Sequence, residues 1–223
     1  MEEIMLPEPM ASLMGKVERG AITNFYGAPG TGKTNLCMLA SIDCVNKGGR
    51  VIYVDTEGGF SLERLKQLTK EYEDVLKGVQ IINPKSFKEQ GNVIRALKER
   101  KADLIVIDSL VSLYRLECAN PAIETLEANR ELSIQLSILS NIARDRELAV
   151  IVTSHVYKNW ESKESYIVGG YTIKYWSKAI VFLEHTGKMG ERKATIVKHR
   201  SLPEGRSVKF VLVNEGIKPT EIV

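Results

Sequence analysis

The chain has 223 residues, 43% of them hydrophobic and 26% charged, with a formal net charge of +3. That composition excludes a disordered chain, which lacks the apolar residues for a core, and the length suits one domain of the larger kind. Three cysteines, Cys37, Cys44 and Cys118, form no CxxC pair and no metal spacing. An odd number of them, with no signal peptide and no long apolar span, points to the cytoplasm and away from a membrane.

Strand and helix signals alternate along the chain. Residues 21–26 form a short apolar-alternating run that predicts a strand, and 34–43 predict a helix. Between them stand Gly27, Ala28, Pro29, Gly30, Thr31, Gly32, Lys33 and Thr34, a complete G-x-x-x-x-G-K-T phosphate-binding loop, followed by Asn35. In such a loop the glycines let backbone N–H groups turn toward phosphate oxygens, and the helix N-terminus adds a favourable partial charge. Lys33 is expected to reach the β- and γ-phosphates of ATP, and the Thr34 hydroxyl to ligate Mg²⁺.

Residues 50–55 predict a second strand, ending in Asp55-Thr56-Glu57, and 61–72 a helix with Ser61 as N-cap. A short strand at 79–82 and a helix over 86–101 precede the continuous apolar run 103–108, typical of a strand buried on both faces. Asp108 closes that run as a Walker B acid and is expected to hold Mg²⁺ opposite Thr34. Glu57 is a candidate base for the water that attacks the γ-phosphate, or else an ordinary loop acid. The longest helix is predicted at 120–147, and 148–153 is another buried strand. His155 follows it, as a γ-phosphate contact or as a structural histidine.

Six of the fifteen aromatic residues lie in 157–176, interleaved with Lys158, Lys163, Lys174 and Lys178. Aromatic faces among cations suit single-stranded nucleic acid, with Tyr157, Lys158, Trp160 and Lys163 as the exposed candidates. Tyr175 and Trp176 are expected in the core, on a short helix. Residues 155–218 hold twelve Lys/Arg against six Asp/Glu, which fits a polyanion-binding surface or a solvated basic face. Strands at 179–185, 193–199 and 207–213, with Gly and Pro turn signals, predict an antiparallel meander. The expected fold is therefore α/β, a mainly parallel sheet flanked by helices with an antiparallel C-terminal extension.

Gly27–Thr34, then Tyr53-Val-Asp-Thr-Glu57, then Ile105-Val-Ile-Asp-Ser109 resemble the RecA/RadA recombinase family in order and spacing, over about residues 20–217. Leu202-Pro-Glu-Gly205 and Gly169-Gly170 are similar to that family's C-terminal signposts. The resemblance implies a single RecA-like P-loop ATPase core at 21–223 behind an entry segment at 1–20, without the helical N-terminal domain of full recombinases. It implies that Glu57 is the catalytic glutamate, acting with Lys33, and that His155 stands where a glutamine senses the γ-phosphate. Residues 156–170 match the second DNA-binding loop, and Arg115 matches an arginine near the first. Lys198 and Arg200 resemble paired cations that reach a neighbouring subunit's nucleotide; a surface basic triplet is the other reading.

No Phe-x-x-Ala segment precedes the core, since the first phenylalanine is Phe25. The resemblance therefore implies an ATP-, Mg²⁺- and DNA-binding recombination mediator with weak ATPase activity and no strand exchange of its own. Its implied partners are single-stranded or branched DNA and a recombinase of the RadA type, with a homo-oligomer possible. The alternative is a KaiC-like signalling ATPase that acts through a protein partner without nucleic acid.

Overall fold

The structure, a computed structural model, describes residues 2–120, 125–158 and 165–220. After a short helix α1 (Met10–Met14), strand β1 (Ala21–Gly27) leads through the phosphate loop into α2 (Lys33–Asn46). Then follow β2 (Val51–Asp55), α3 (Leu62–Leu68), α4 (Tyr72–Gly78), β3 (Val79–Ile82), α5 (Phe87–Ala96) and β4 (Leu104–Asp108). Helices α6 (Ser112–Cys118) and α7 (Thr125–Arg146) precede β5 (Ala149–Ser154) and a small hairpin, β6 (Val156–Lys158) with β7 (Ser165–Ile167). Helix α8 (Gly170–Trp176) opens the last part, with β8 (Ser177–His185), β9 (Glu191–Lys198), β10 (Ser207–Val213) and β11 (Gly216–Pro219).

Nine strands form one sheet in the order β11-β10-β9-β8-β1-β5-β4-β2-β3. The run from β8 to β3 is parallel, and β8, β9, β10 and β11 pair antiparallel. This is the mainly parallel sheet with an antiparallel extension that the alternating signals predict. The continuous apolar strands have a direct cause: both faces of the sheet are covered. Along β4, Leu104 and Val106 enter the core that α2 covers, while Ile105 and Ile107 enter the one that α5 and α7 cover. Residues 4–17 pack into the first of these, through Ile4, Leu6, Met10, Leu13 and Val17. Cys37 and Cys44 lie in it too, with free thiols whose pKa burial pushes up, to about 12 for Cys44.

The helices differ from the sequence reading in three places. The helix expected at 61–72 is two helices, because Thr69 adopts an extended backbone that ends α3. The helix expected at 86–101 stops at Ala96 and closes in a 3-10 turn, Leu97–Glu99. Helix α6, ahead of the long helix, was not predicted; it buries Leu113 and Tyr114 in the core that α7 covers.

Candidate nucleotide and nucleic-acid sites

The carboxyl ends of β1, β2, β4 and β5 converge on one end of the sheet, where ligands of open α/β folds bind. Helix α2 starts there at Lys33, with Gly32 as its N-cap at φ 100°, a left-handed backbone that glycine adopts without strain. Gly27 is required by close approach: a Cβ there would stand 2.1 Å from the carbonyl oxygen of Leu183. Lys33 is buried, and its Nζ donates to the carbonyls of Gly27 (2.9 Å) and Ala28 (3.0 Å). Burial lowers its pKa, and the nearby Asp108 and Glu57 carboxylates oppose that shift.

Asp108 is buried and well supported. Its Oδ2 accepts from the Tyr53 hydroxyl at 2.8 Å and its Oδ1 from Thr153 Oγ1 at 2.6 Å. Burial raises its pKa, while hydrogen bonds from Thr153, Thr34 and Tyr53 pull the other way. Thr34 and Asp108 thus meet, as a shared cation requires. Among the described residues no group of three or more His, Cys, Asp or Glu could hold a metal alone. A hydroxyl and one carboxylate beside a phosphate loop suit Mg²⁺, which keeps waters and takes the rest of its shell from phosphate oxygens.

Asp55 organises the turn that carries the candidate base. Its Oδ1 accepts from the backbone N–H groups of Glu57, Gly58 and Gly59, and its Oδ2 from that of Phe60. The turn is also tied to the end of β4: Thr56 N–H donates to the Asp108 carbonyl, and its hydroxyl donates to the Ser109 carbonyl. Glu57 Oε1 then accepts from His155 Nε2 at 2.5 Å and from the Ser112 hydroxyl. The His155 bond is the largest cause of a Glu57 pKa lowered to about 2. Two residues 98 positions apart, separately singled out in the sequence, are therefore in contact.

Lys33, Thr34, Glu57, Asp108 and His155 border one hollow of about 380 Å³, together with Pro29, Gly30, Gly32 and Asn35 of the loop. Arg64, whose backbone N–H donates to the Ser61 cap, also borders it. Its Nε and Nη2 donate to Asn35 Oδ1 at 3.0 and 2.8 Å, and Nη2 also donates to the Val213 carbonyl. The Asn35 side chain is thus engaged with Arg64, and with the Gly216 carbonyl through its Nδ2.

Candidate nucleic-acid residues are more scattered. Tyr157 and Tyr166 stack across the β6–β7 hairpin, with centroids 5.8 Å apart and exposures of 54% and 39%. Lys158 ends β6, and Trp160 and Lys163 lie outside the described residues. Arg115 is exposed on α6. The expectation that Tyr175 packs in the core is overturned. Helix α8 buries Ile173 and half-buries Trp176, while Tyr171 and Tyr175, four residues apart, share the opposite face and stack at 6.2 Å. They are 80% and 58% exposed.

Lys198 and Arg200 lie toward the other end of the sheet. Arg192 pairs with His185 beside the loop, and six residues of strand, about 20 Å, separate it from Lys198. Lys198 Nζ donates to the Lys174 carbonyl, and Arg200 lies 3.7 Å from Glu18. Their own chain's phosphate loop is out of reach.

Comparison with known proteins gives a consistent result. The sequence model of the Rad51 family matches residues 10–220. A DNA repair and recombination protein RadB from Methanocaldococcus jannaschii is 43% identical over 210 residues, covering 92% of this chain and 96% of the relative. Another RadB, from Methanosphaera stadtmanae, is 37% identical over 213 residues, covering 92% and 90%. A crystal structure of the RadB recombinase superposes with a TM-score of 0.82 at 32% identity, covering 97% of this chain and all of that one. Among the described residues no helix is long and apolar enough to cross a membrane.

Proposed function

The chain belongs to the Rad51 family, and we propose that it is an ATP- and DNA-binding mediator of homologous recombination and DNA repair of the RadB kind. One observation carries the nucleotide part: Lys33, Thr34, Asp108, Glu57 and His155 border a single hollow at the start of α2. The KaiC-like alternative is not favoured, since the matching family and relatives are recombination proteins.

In this reading the amides of residues 28–34 and the Lys33 ammonium hold the phosphates of ATP, with Thr34 and Asp108 as the Mg²⁺ ligands. The ion, when bound, offsets phosphate charge. Glu57 receives the proton of the attacking water. A carboxylate with a pKa near 2 is a weak base, because base efficiency follows the pKa of the acceptor. It is also occupied by His155 and Ser112. Hydrolysis is slow while these contacts hold, and a γ-phosphate that draws His155 away would release Glu57.

His155 directly precedes the β6–β7 hairpin, which links nucleotide state to the aromatic pair Tyr157 and Tyr166. DNA, single-stranded or branched, is the proposed ligand of that hairpin with Arg115, Lys158, Trp160 and Lys163. Lys198 and Arg200 are proposed to serve another subunit's nucleotide, and a RadA-type recombinase is the proposed protein partner in the cytoplasm. The test is binding to single-stranded, duplex and branched DNA, with and without ATP and Mg²⁺. Nucleotide-modulated, salt-sensitive binding is the expected result. Absence of DNA binding in every nucleotide state at low salt would overturn the DNA reading.

A further inference from the structure

The β8–β9 hairpin lies against the outside of the phosphate loop. His185, the last residue of β8, places Nε2 3.2 Å from the carbonyl oxygen of Pro29. Since a carbonyl only accepts, the ring nitrogen is the donor there. Arg192, near the start of β9, donates from Nε to the Gly30 carbonyl at 2.9 Å, and its Nη1 donates to the Glu191 carbonyl at 3.0 Å. His185 and Arg192 are register partners in the hairpin, so one rigid pair of strands presents both donors. The His185 ring also lies over Gly30, where a Cβ would meet its Cε1 at 3.8 Å.

A trans peptide unit is planar, with its C=O and N–H pointing in opposite directions. Fixing the Pro29 carbonyl toward the hairpin therefore turns the Gly30 N–H the other way, toward the side of the loop that borders the hollow. Fixing the Gly30 carbonyl holds the next peptide unit, whose Thr31 N–H donates to the Ala28 carbonyl at 3.4 Å. Preorganised amide dipoles avoid a reorganisation cost when an anion arrives. Glycine at position 30 makes this control useful, because its backbone is otherwise free to rotate; it sits at φ 74°.

We infer that His185 and Arg192 are positioning residues for the nucleotide: they grip the outer carbonyls of the phosphate loop, so fixing its backbone path and aiming the Gly30 amide at phosphate oxygens. The inference rests on the nucleotide-binding reading of the site and extends it to two side chains outside the loop motif. It also gives the antiparallel extension of the sheet a part in nucleotide affinity.

The test compares the whole chain with His185→Ala, Arg192→Ala, the double variant, Arg192→Lys and Lys33→Ala, titrating a fluorescent ATP analogue with Mg²⁺. The double variant is expected to bind about tenfold more weakly, as loss of two hydrogen bonds implies, with its melting temperature without nucleotide unchanged. Arg192→Lys, which keeps a donor, should recover most of the loss seen in Arg192→Ala. The loss should persist at about 0.5 M salt, where the attraction of an exposed charge for distant phosphates is screened. Unchanged affinity in the double variant overturns the inference. So does a loss that disappears at high salt, which would mark a long-range charge effect, or a fall in melting temperature that accounts for the weaker binding. If the unmodified chain binds no nucleotide at all, the nucleotide reading itself fails and takes this inference with it.

Discussion

The phosphate-loop end of the sheet and the aromatic segment after β5 are built in opposite ways. At the loop, Lys33, Asp55 and Asp108 are buried, and each has two or more hydrogen-bond partners, from the phosphate loop for Lys33, from other strands for Asp108 and from the turn after β2 for Asp55. In the segment, Tyr157, Tyr166, Tyr171 and Tyr175 are exposed and stack in pairs. Charges acting in a water-poor site must be fixed by their surroundings, since an unsatisfied buried polar group is costly. Stacking surfaces need only a π-face in reach of a base. The first arrangement tolerates few changes of residue or spacing; the second tolerates many.

The largest effect that sharpens this contrast is expected at Glu57. Glu57→Gln keeps the size of the side chain and removes the base, so ATP turnover should fall about 10²- to 10⁴-fold while ATP binding stays. Turnover that survives the change would move the base elsewhere and separate the Asp55-organised turn from the chemistry. Next comes Lys33→Ala, which removes a buried charge proposed to hold phosphates. Nucleotide affinity should drop by about a hundredfold or more with the melting temperature without ATP little changed. Equal affinity in a direct titration would break the claim that the loop is a phosphate site.

His155→Ala is expected to show first as a shifted pKa. The Glu57 carboxyl lies below its ordinary value of 4.5, at about 2, chiefly through the His155 bond. The contact therefore stabilises the fold above the ordinary carboxylate pKa, and its contribution is lost as pH falls through about 2. Removing the histidine should raise the Glu57 pKa toward 4.5, read from the carboxyl carbon resonance during an acid titration without nucleotide. An unmoved titration would leave Ser112 as the group that holds Glu57.

The same contrast explains what could be read from the sequence. The loop motif, the acid after β2 and the acid that ends β4 were legible because each is tied to a strand end by spacing, and the apolar runs fix those strands. The parallel order of the sheet followed from alternation of strand and helix. Asp55 as organiser of the turn was not legible: its four amide contacts depend on a local backbone path, not on residue pattern. The His155–Glu57 contact joins two strand ends, and sequence carries no distance between them. His185 and Arg192 were hidden for the same reason, since the hairpin that brings them to the loop comes more than 150 residues later. Tyr175 was misplaced because a seven-residue helix has too few turns for periodicity to decide which face is buried.

The smallest expected effect belongs to the exposed pair, and it separates the two aromatic surfaces from one another. Tyr157 lies in the hairpin directly after His155, whereas Tyr175 lies on α8, beyond the Gly169–Gly170 turn. If the hairpin is the DNA surface, Tyr157→Ala should weaken single-stranded DNA binding by about fivefold, the low end for one lost stacking contact. Its salt dependence should stay the same, because no cation is removed. Lys158→Ala should instead lower the slope of log affinity against log salt by about 0.7. Tyr175→Ala should leave both quantities unchanged. Anisotropy titrations across salt distinguish these outcomes. A loss confined to Tyr175→Ala would move the DNA surface to α8 and away from His155, and with it would go the proposed route from ATP to DNA affinity.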